Sequence, residues 1–345
     1  SSDLQVTGNG TGLGTMQRVL EGTRAGSDRI GPVMAQRPEQ TRAAVMGFAD
    51  SVAPQTAQPS MIGAEAQRAA GTAINDARRR VNARAEPFYR ALENQAVPAE
   101  RYQQFVADPT YRAALAEIRG HPELNASIAH LPDENLSVVN EVVKRMRGMA
   151  ETATPNPANP MGNHQLEAIR TASAGRVDGA MRDMSTPWTR AHETVARGRQ
   201  LEVEPLQRGP LGAISATDSV PAQTRALFPN QPLEGAPAET ARALREIVLR
   251  NPEAGRDLGR QHIVNSYNEA GQALQSGQNQ WGGAKWAAQV AGNPEQERTL
   301  LAGIDAMGAD SADLQGLVRA LRATGTRQAP GSMTAYNMEE LRNLG

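Results

Sequence analysis

Between Ile62 and Leu92 small apolar side chains return every three or four residues, and this recurrence constrains the chain more than any other feature. Ile62, Ala66, Ala69, Ala73, Ala77, Val81, Ala85, Phe88 and Leu92 fall on one side of a helix, the pattern of a single buried face. Most of these side chains are alanines, so a partner helix can approach closely. Ala66, Ala69, Ala73, Ala77 and Val81 therefore form a candidate helix–helix assembly face. The opposite side carries Arg68, Asp76, Arg79, Arg80 and Arg84, which read as a solvated face rather than a phosphate-binding stripe.

A second helical stretch runs from about His164 to Gln200, with Leu166, Ile169, Ser173, Val177, Ala180, Met184, Trp188, Ala191 and Val195 at near-helical spacing. Pro187 lies inside it and should kink the helix or begin a new one, because proline lacks the N–H and clashes with the preceding turn. Proline followed by an acid recurs at Pro38-Glu39, Pro122-Glu123, Pro132-Asp133, Pro252-Glu253 and Pro294-Glu295. Proline suits the first helical position and the acid complements the helix dipole. Asn251 and Asn293 can cap the last two of these starts. No run of β-branched residues alternates with polar ones, so the fold class expected is all-α: an extended multi-helix bundle with long helices.

Residues 1–60 read as a flexible N-terminal arm with a short helix at 36–52. The glycines of 8–14 follow no strand, which a dinucleotide loop would require. Residues 61–200 form a long-helix domain, and 201–236, punctuated by Pro205, Pro210, Pro221, Pro229 and Pro232, read as a Pro-rich linker. Residues 237–345 form a C-terminal helical bundle, with helices at 237–250, 252–276, 283–291, 294–307 and 311–324, Gly325 as a C-cap, and a last helix near Met333. The chain opens on Ser1 and is expected to be a piece of a longer polypeptide.

Hydrophobic residues make up 39% of the chain and aromatics 3%. An ordinary domain is about 45–50% apolar, so the cores should be thin and rich in Ala and Gly. The net charge is −1, without the basic excess of a dedicated nucleic-acid binder. Nearly every cation is arginine; Lys144 and Lys285 are the lysines. There is no cysteine, which excludes disulfides, thiolate metal sites and cysteine nucleophiles.

The five histidines, His121, His130, His164, His192 and His262, form no His-Glu-x-x-His arrangement, so no metal is expected. No Glu-Ser dipeptide, Ser nucleophile elbow or Walker loop occurs. Neither a catalytic residue nor a cofactor is expected. Trp281 and Trp286, set among glycines beside Lys285, could stack on bases or anchor their loop to the bundle. Scarce aromatics and balanced charge favour the anchor.

The stretch from Asn251 to Ile263 (NPEAGRDLGRQHI), the Trp-containing loop, Ala291-Gly292-Asn293-Pro294 and Leu321–Gln328 together resemble the C-terminal half of internal virion proteins of podovirus-type phages and prophages. Ala73–Arg79, Glu86–Arg90 and Val97-Pro98 are similar to the N-terminal helical region of that family, also described as ejection or DNA-transfer proteins. The resemblance implies a protein packaged in the virion and delivered to the host periplasm and envelope. There it would form a homo-oligomeric conduit for the genome. The partners implied are other copies, the portal, tail and other ejection proteins, phage genomic DNA, and the host envelope. A static portal- or tail-associated plug and a peptidoglycan-cleaving virion enzyme are the alternatives.

Overall fold

The computed structural model describes residues 39–54, 58–155, 160–272 and 283–323, and within them helices are joined by short turns. In chain order these are α1 (39–52), α2 (Pro59–Leu92), α3 (Ala99–Ala107), α4 (Pro109–Gly120), α5 (Pro122–Asn125), α6 (Leu136–Ala153), α7 (His164–Met184) and α8 (Thr186–Gly198). A π-helical turn, Arg199–Val203, then leads into α9 (Glu204–Arg208), α10 (Pro210–Ser215), α11 (Val220–Leu227), α12 (Ala236–Arg250), α13 (Pro252–Gln272), α14 (Gly283–Val290), α15 (Pro294–Ala306) and α16 (Ser311–Ala323). Among the described residues there is no strand, only one isolated bridge between Ala96 and Asn135. None of the described helices is long and apolar enough to cross a membrane. The all-α class holds.

Local chemistry explains most of the boundaries. Pro122, Pro252 and Pro294 open helices in their first turns, as the proline–acid pairs predict, while Pro38 lies outside the described residues. The Asn293 side chain accepts from the Gln296 N–H, and Asn251 accepts from Ala254. Pro132-Asp133 departs from the pattern. Asn135 caps α6 instead, accepting from the Ser137 N–H, while Asp133 is taken up by Arg119. Pro187 begins a helix rather than kinking one: Ser185 closes α7 and its hydroxyl accepts from the Trp188 N–H at the start of α8.

The stretch expected as a Pro-rich linker, 201–236, is mostly helical. Pro210 and Pro221 sit in the first turns of α10 and α11, where the missing N–H has no intrahelical partner to lose. Pro205 is the second residue of α9, one residue beyond the π turn, where the regular ladder is already interrupted. Gly235, just before α12, takes φ +92°, which other residues rarely adopt. Gly325 and the helix near Met333 lie outside the described residues.

The described residues divide into two compact units, one within 1–74 and 206–345 and the other within 75–205. Helix α2 contributes to both. In the unit of residues 75–205, α4, α6, α7 and α8 enclose Tyr111, Val138, Val142, Met146, Met181 and Trp188, all fully buried. The irregular stretch 125–133 is held by Arg119, which donates to Asp133, to Asn125 Oδ1 and to the carbonyls of Ile128 and Leu131 at 2.7–3.0 Å. A guanidinium suits that task because its donors form a fixed fork.

In the unit of residues 1–74 and 206–345, α12 lies along α15, α13 contacts α12 and α14, and α14 contacts α16. Gly303 lets α15 come close: a Cβ there would stand 2.6 Å from Phe228 Cε1. Helix α1 is tied in by Arg260, whose buried guanidinium donates to Asp50 at 2.7 Å. The first part of α2 joins α11, where Gln223 Nε2 donates to the Gly63 carbonyl at 2.9 Å.

Candidate functional site

The candidate assembly face on α2 is buried within this chain. Ala66, Ala73 and Ala77 are wholly inaccessible, and Ala69 and Val81 nearly so. Small side chains do permit a close approach, but the approaching helices belong to the same molecule. A Cβ on Gly198 of α8 would meet Val81 Cγ1 at 2.7 Å, so α8 closes on α2 to within backbone reach. A Cβ on Gly63 would likewise meet the Asp218 carbonyl. The face builds the units and is not an open surface.

Outward apolar positions occur on α7, where Ile169 is 59% and Leu166 37% exposed, and elsewhere, as at Leu249 on α12, 77% exposed. Ala168, Ala172 and Gly175 share that exposure, and a Cβ on Gly175 or Gly179 would meet nothing within 4 Å. Near-helical spacing places Leu166 and Ile169 on α7, but spacing alone does not say whether a partner covers them.

Of the two tryptophans expected to anchor the loop, Trp281 lies outside the described residues. Trp286 is fully buried, and its indole N–H donates to Ser266 Oγ on α13 at 2.9 Å. Tyr267 packs edge-on against it, with ring centroids 6.5 Å apart. Trp286 is thus an anchor of α14 on α13.

Beside this anchor, α11, α13, α14 and α15 enclose a cleft of about 500 Å³. Arg225, Asn230, His262, Asn265, Asn268 and Glu269 contribute polar side chains to its lining. Phe228 stacks on His262, with centroids 4.3 Å apart and rings inclined by 20°. Burial pushes the His262 imidazole down to about 4, so it is neutral at pH 7. The floor is fixed by buried side chains. Gln296 donates to the Gln289 carbonyl and accepts from the Gly292 N–H, and Thr299 donates to the Glu295 carbonyl. Ser266 donates to the Ile263 carbonyl and accepts from Trp286, so its hydroxyl proton is already committed. No sequence motif marks this cleft, because its lining is scattered over four helices.

The other unit has a charged counterpart around Trp188. Its indole N–H donates to Asp178 Oδ1 at 2.8 Å, while Arg182 and Arg147 reach Asp178 Oδ2 at 3.1 and 3.2 Å. Burial pushes the Asp178 carboxyl up, but the hydrogen bonds from Trp188 and Arg182 outweigh it and hold it below the usual range. His192 stacks on Trp188 at 4.8 Å, and its Nε2 is buried without a hydrogen-bond partner. Burial pushes this imidazole down to about 4, against the pull of Asp178. His164 contacts Glu167 at 3.3 Å on the surface of α7, and among the described residues no group of three or more His, Asp or Glu could hold a metal ion.

No family model matches the chain, and no curated protein or solved structure is significantly similar to it.

Proposed function

We propose that this chain is an internal virion protein of a podovirus-type phage that leaves the particle and assembles with copies of itself into a conduit for genome delivery across the host envelope. It acts in this reading by assembly, without a catalytic step or cofactor, alongside portal, tail and other ejected proteins. The observation that carries the reading is the placement of glycine inside helices. Gly47, Gly71, Gly175, Gly179 and Gly316 occupy helical positions where a Cβ would meet nothing within 4 Å. Glycine costs a helix about 1 kcal/mol relative to alanine. No packing requirement in the monomer accounts for that cost at these five positions. Helices weakened in this way unwind readily, which passage through a narrow channel demands.

Self-assembly has its natural surface on α7, with Leu166 and Ile169 exposed beside Ala168 and Ala172. The test compares full and emptied virions by protein content and then examines the released protein. The proposal expects the chain in full particles, its loss from emptied ones, and a ring-shaped homo-oligomer after release. Retention in emptied particles would replace it with a static plug or adaptor. A protein that never enters particles would end it.

A further inference from the structure

We propose that the cleft between α11, α13, α14 and α15 is a binding site for a short, uncharged saccharide. At about 500 Å³ it falls within the size range of small-ligand sites, roughly 300–1,000 Å³. Its charges decide the class first. Arg225 and Glu269 are the charged residues of the lining, and they offset one another. A polyphosphate or nucleotide calls for several convergent cations, and a hydrophobic ligand calls for apolar walls. The cleft offers neither.

It does offer groups that both donate and accept. Asn265 and Asn268 on α13 and Asn230 ahead of α12 carry amides with both functions, as does a neutral imidazole such as His262. Hydroxyl groups have the same dual character, so vicinal hydroxyls of a sugar ring match paired amide atoms. None of these four side chains has a hydrogen-bond partner among the described residues, so their polar atoms are free for a ligand. The partly exposed His262 ring, stacked on the buried Phe228, is held flat in the cleft, where the apolar face of a pyranose can lie against it. The floor is preorganised by Gln296, Thr299 and the Trp286–Ser266 bond, which lowers the ordering cost of binding. A peptide fits less well. The recurring peptide sites use a free strand edge, an apolar groove or a row of aromatics, and the described residues around the cleft provide none.

The test uses the full chain on an array of neutral hexose and N-acetylhexosamine oligosaccharides, together with sulfated, phosphorylated and peptide controls. The saccharide best retained is then titrated by tryptophan emission, because Trp286 is bonded to the cleft residue Ser266. Binding to a neutral saccharide is expected, with Kd on the order of 10 µM to 1 mM. Asn265→Ala and Asn268→Ala should each weaken it by roughly tenfold, with helical circular dichroism unchanged, the loss expected for one hydrogen bond to the ligand. Arg225→Gln should change it by less than about threefold, since the ligand carries no charge for it to meet. Retention of anionic probes or peptides alone, absence of any binding by the folded chain, or indifference to both asparagine substitutions would each overturn the proposal.

Discussion

The two units solve one problem with different chemistry. Each buries a single described tryptophan and must satisfy the indole N–H that goes in with it. Around Trp286 the acceptor is a neutral hydroxyl, that of Ser266, itself bonded to a backbone carbonyl. Around Trp188 the acceptor is the Asp178 carboxylate, which also gathers Arg182 and Arg147. Both units also stack a partly buried histidine on an aromatic ring, His262 on Phe228 and His192 on Trp188. The difference teaches that a core short of aromatics can be anchored by neutral or by ionic partners. The choice shows up in the response to acid.

Removing the anchors gives the largest expected effect. Trp286→Ala and Trp188→Ala should each cost about 3–5 kcal/mol, from lost burial and the cavity left behind. Hydrogen exchange followed by mass spectrometry should place the loss in α13–α16 for the first and in α6–α8 for the second. Equal loss of protection in both units from either substitution would break the comparison.

Acidification should separate the units next. Both imidazoles are pushed from 6.5 to about 4 in the folded state, so the unfolded chain binds more protons between those values. Their contribution to stability is full above pH 6.5 and is lost as pH falls toward 4. Below that the carboxylates diverge. Asp178 and Asp108 are raised by burial but lowered further by their hydrogen bonds, so unit 75–205 keeps losing stability as the pH falls through their depressed folded values. Asp257, in the other unit, is raised by burial and by Glu253, so protonating it relieves a cost of folding. Hydrogen exchange across pH 7 to 3 should show residues 75–205 opening at the higher pH. His192→Gln should flatten their response between 6.5 and 4 without altering that of α13. Loss of both units at the same pH in the unsubstituted chain would show that the ionic anchor makes no difference.

Glycine substitutions give the smallest effects and sharpen the contrast between open and closed positions. Gly175→Ala and Gly179→Ala should each stabilise α7 by up to about 1 kcal/mol, since the added methyl meets nothing. Gly198→Ala and Gly303→Ala should destabilise their units, because the same methyl would press on Val81 or on Phe228. Thermal melts of the four variants would check both signs.

What could be read from the residues themselves was local. Proline at a helix start and asparagine before it act through their nearest backbone groups, so α13 and α15 begin where Pro252 and Pro294 say they should. The helices within 201–236 were not legible because a proline in a first turn and a proline in a loop look alike until the structure shows Pro210 and Pro221 opening α10 and α11. The burial of Ala66 to Val81 follows from periodicity, but its partners do not: α8 and the Asp218 carbonyl are distant in sequence. The cleft was illegible for the same reason. His262 and Asn265 share one side of α13, but Asn230 and Gln289 lie far from them in sequence, and only the packing of the helices brings all four together.

The interleaving of the units sets an order of events when the chain appears from one end, whether from a ribosome or from a pore. Residues 75–205 are contiguous, so that unit has all its contacts available once Pro205 has emerged. Residues 39–74 must wait. Gly63 meets Gln223, and Asp50 meets Arg260, across the whole length of the inserted unit. Closing that loop costs entropy that a folded insert reduces by bringing its ends under restraint. Threaded N-terminus first, the chain would therefore complete residues 75–205 before residues 39–74 settle, and α1 would be among the last of the described helices to find its place.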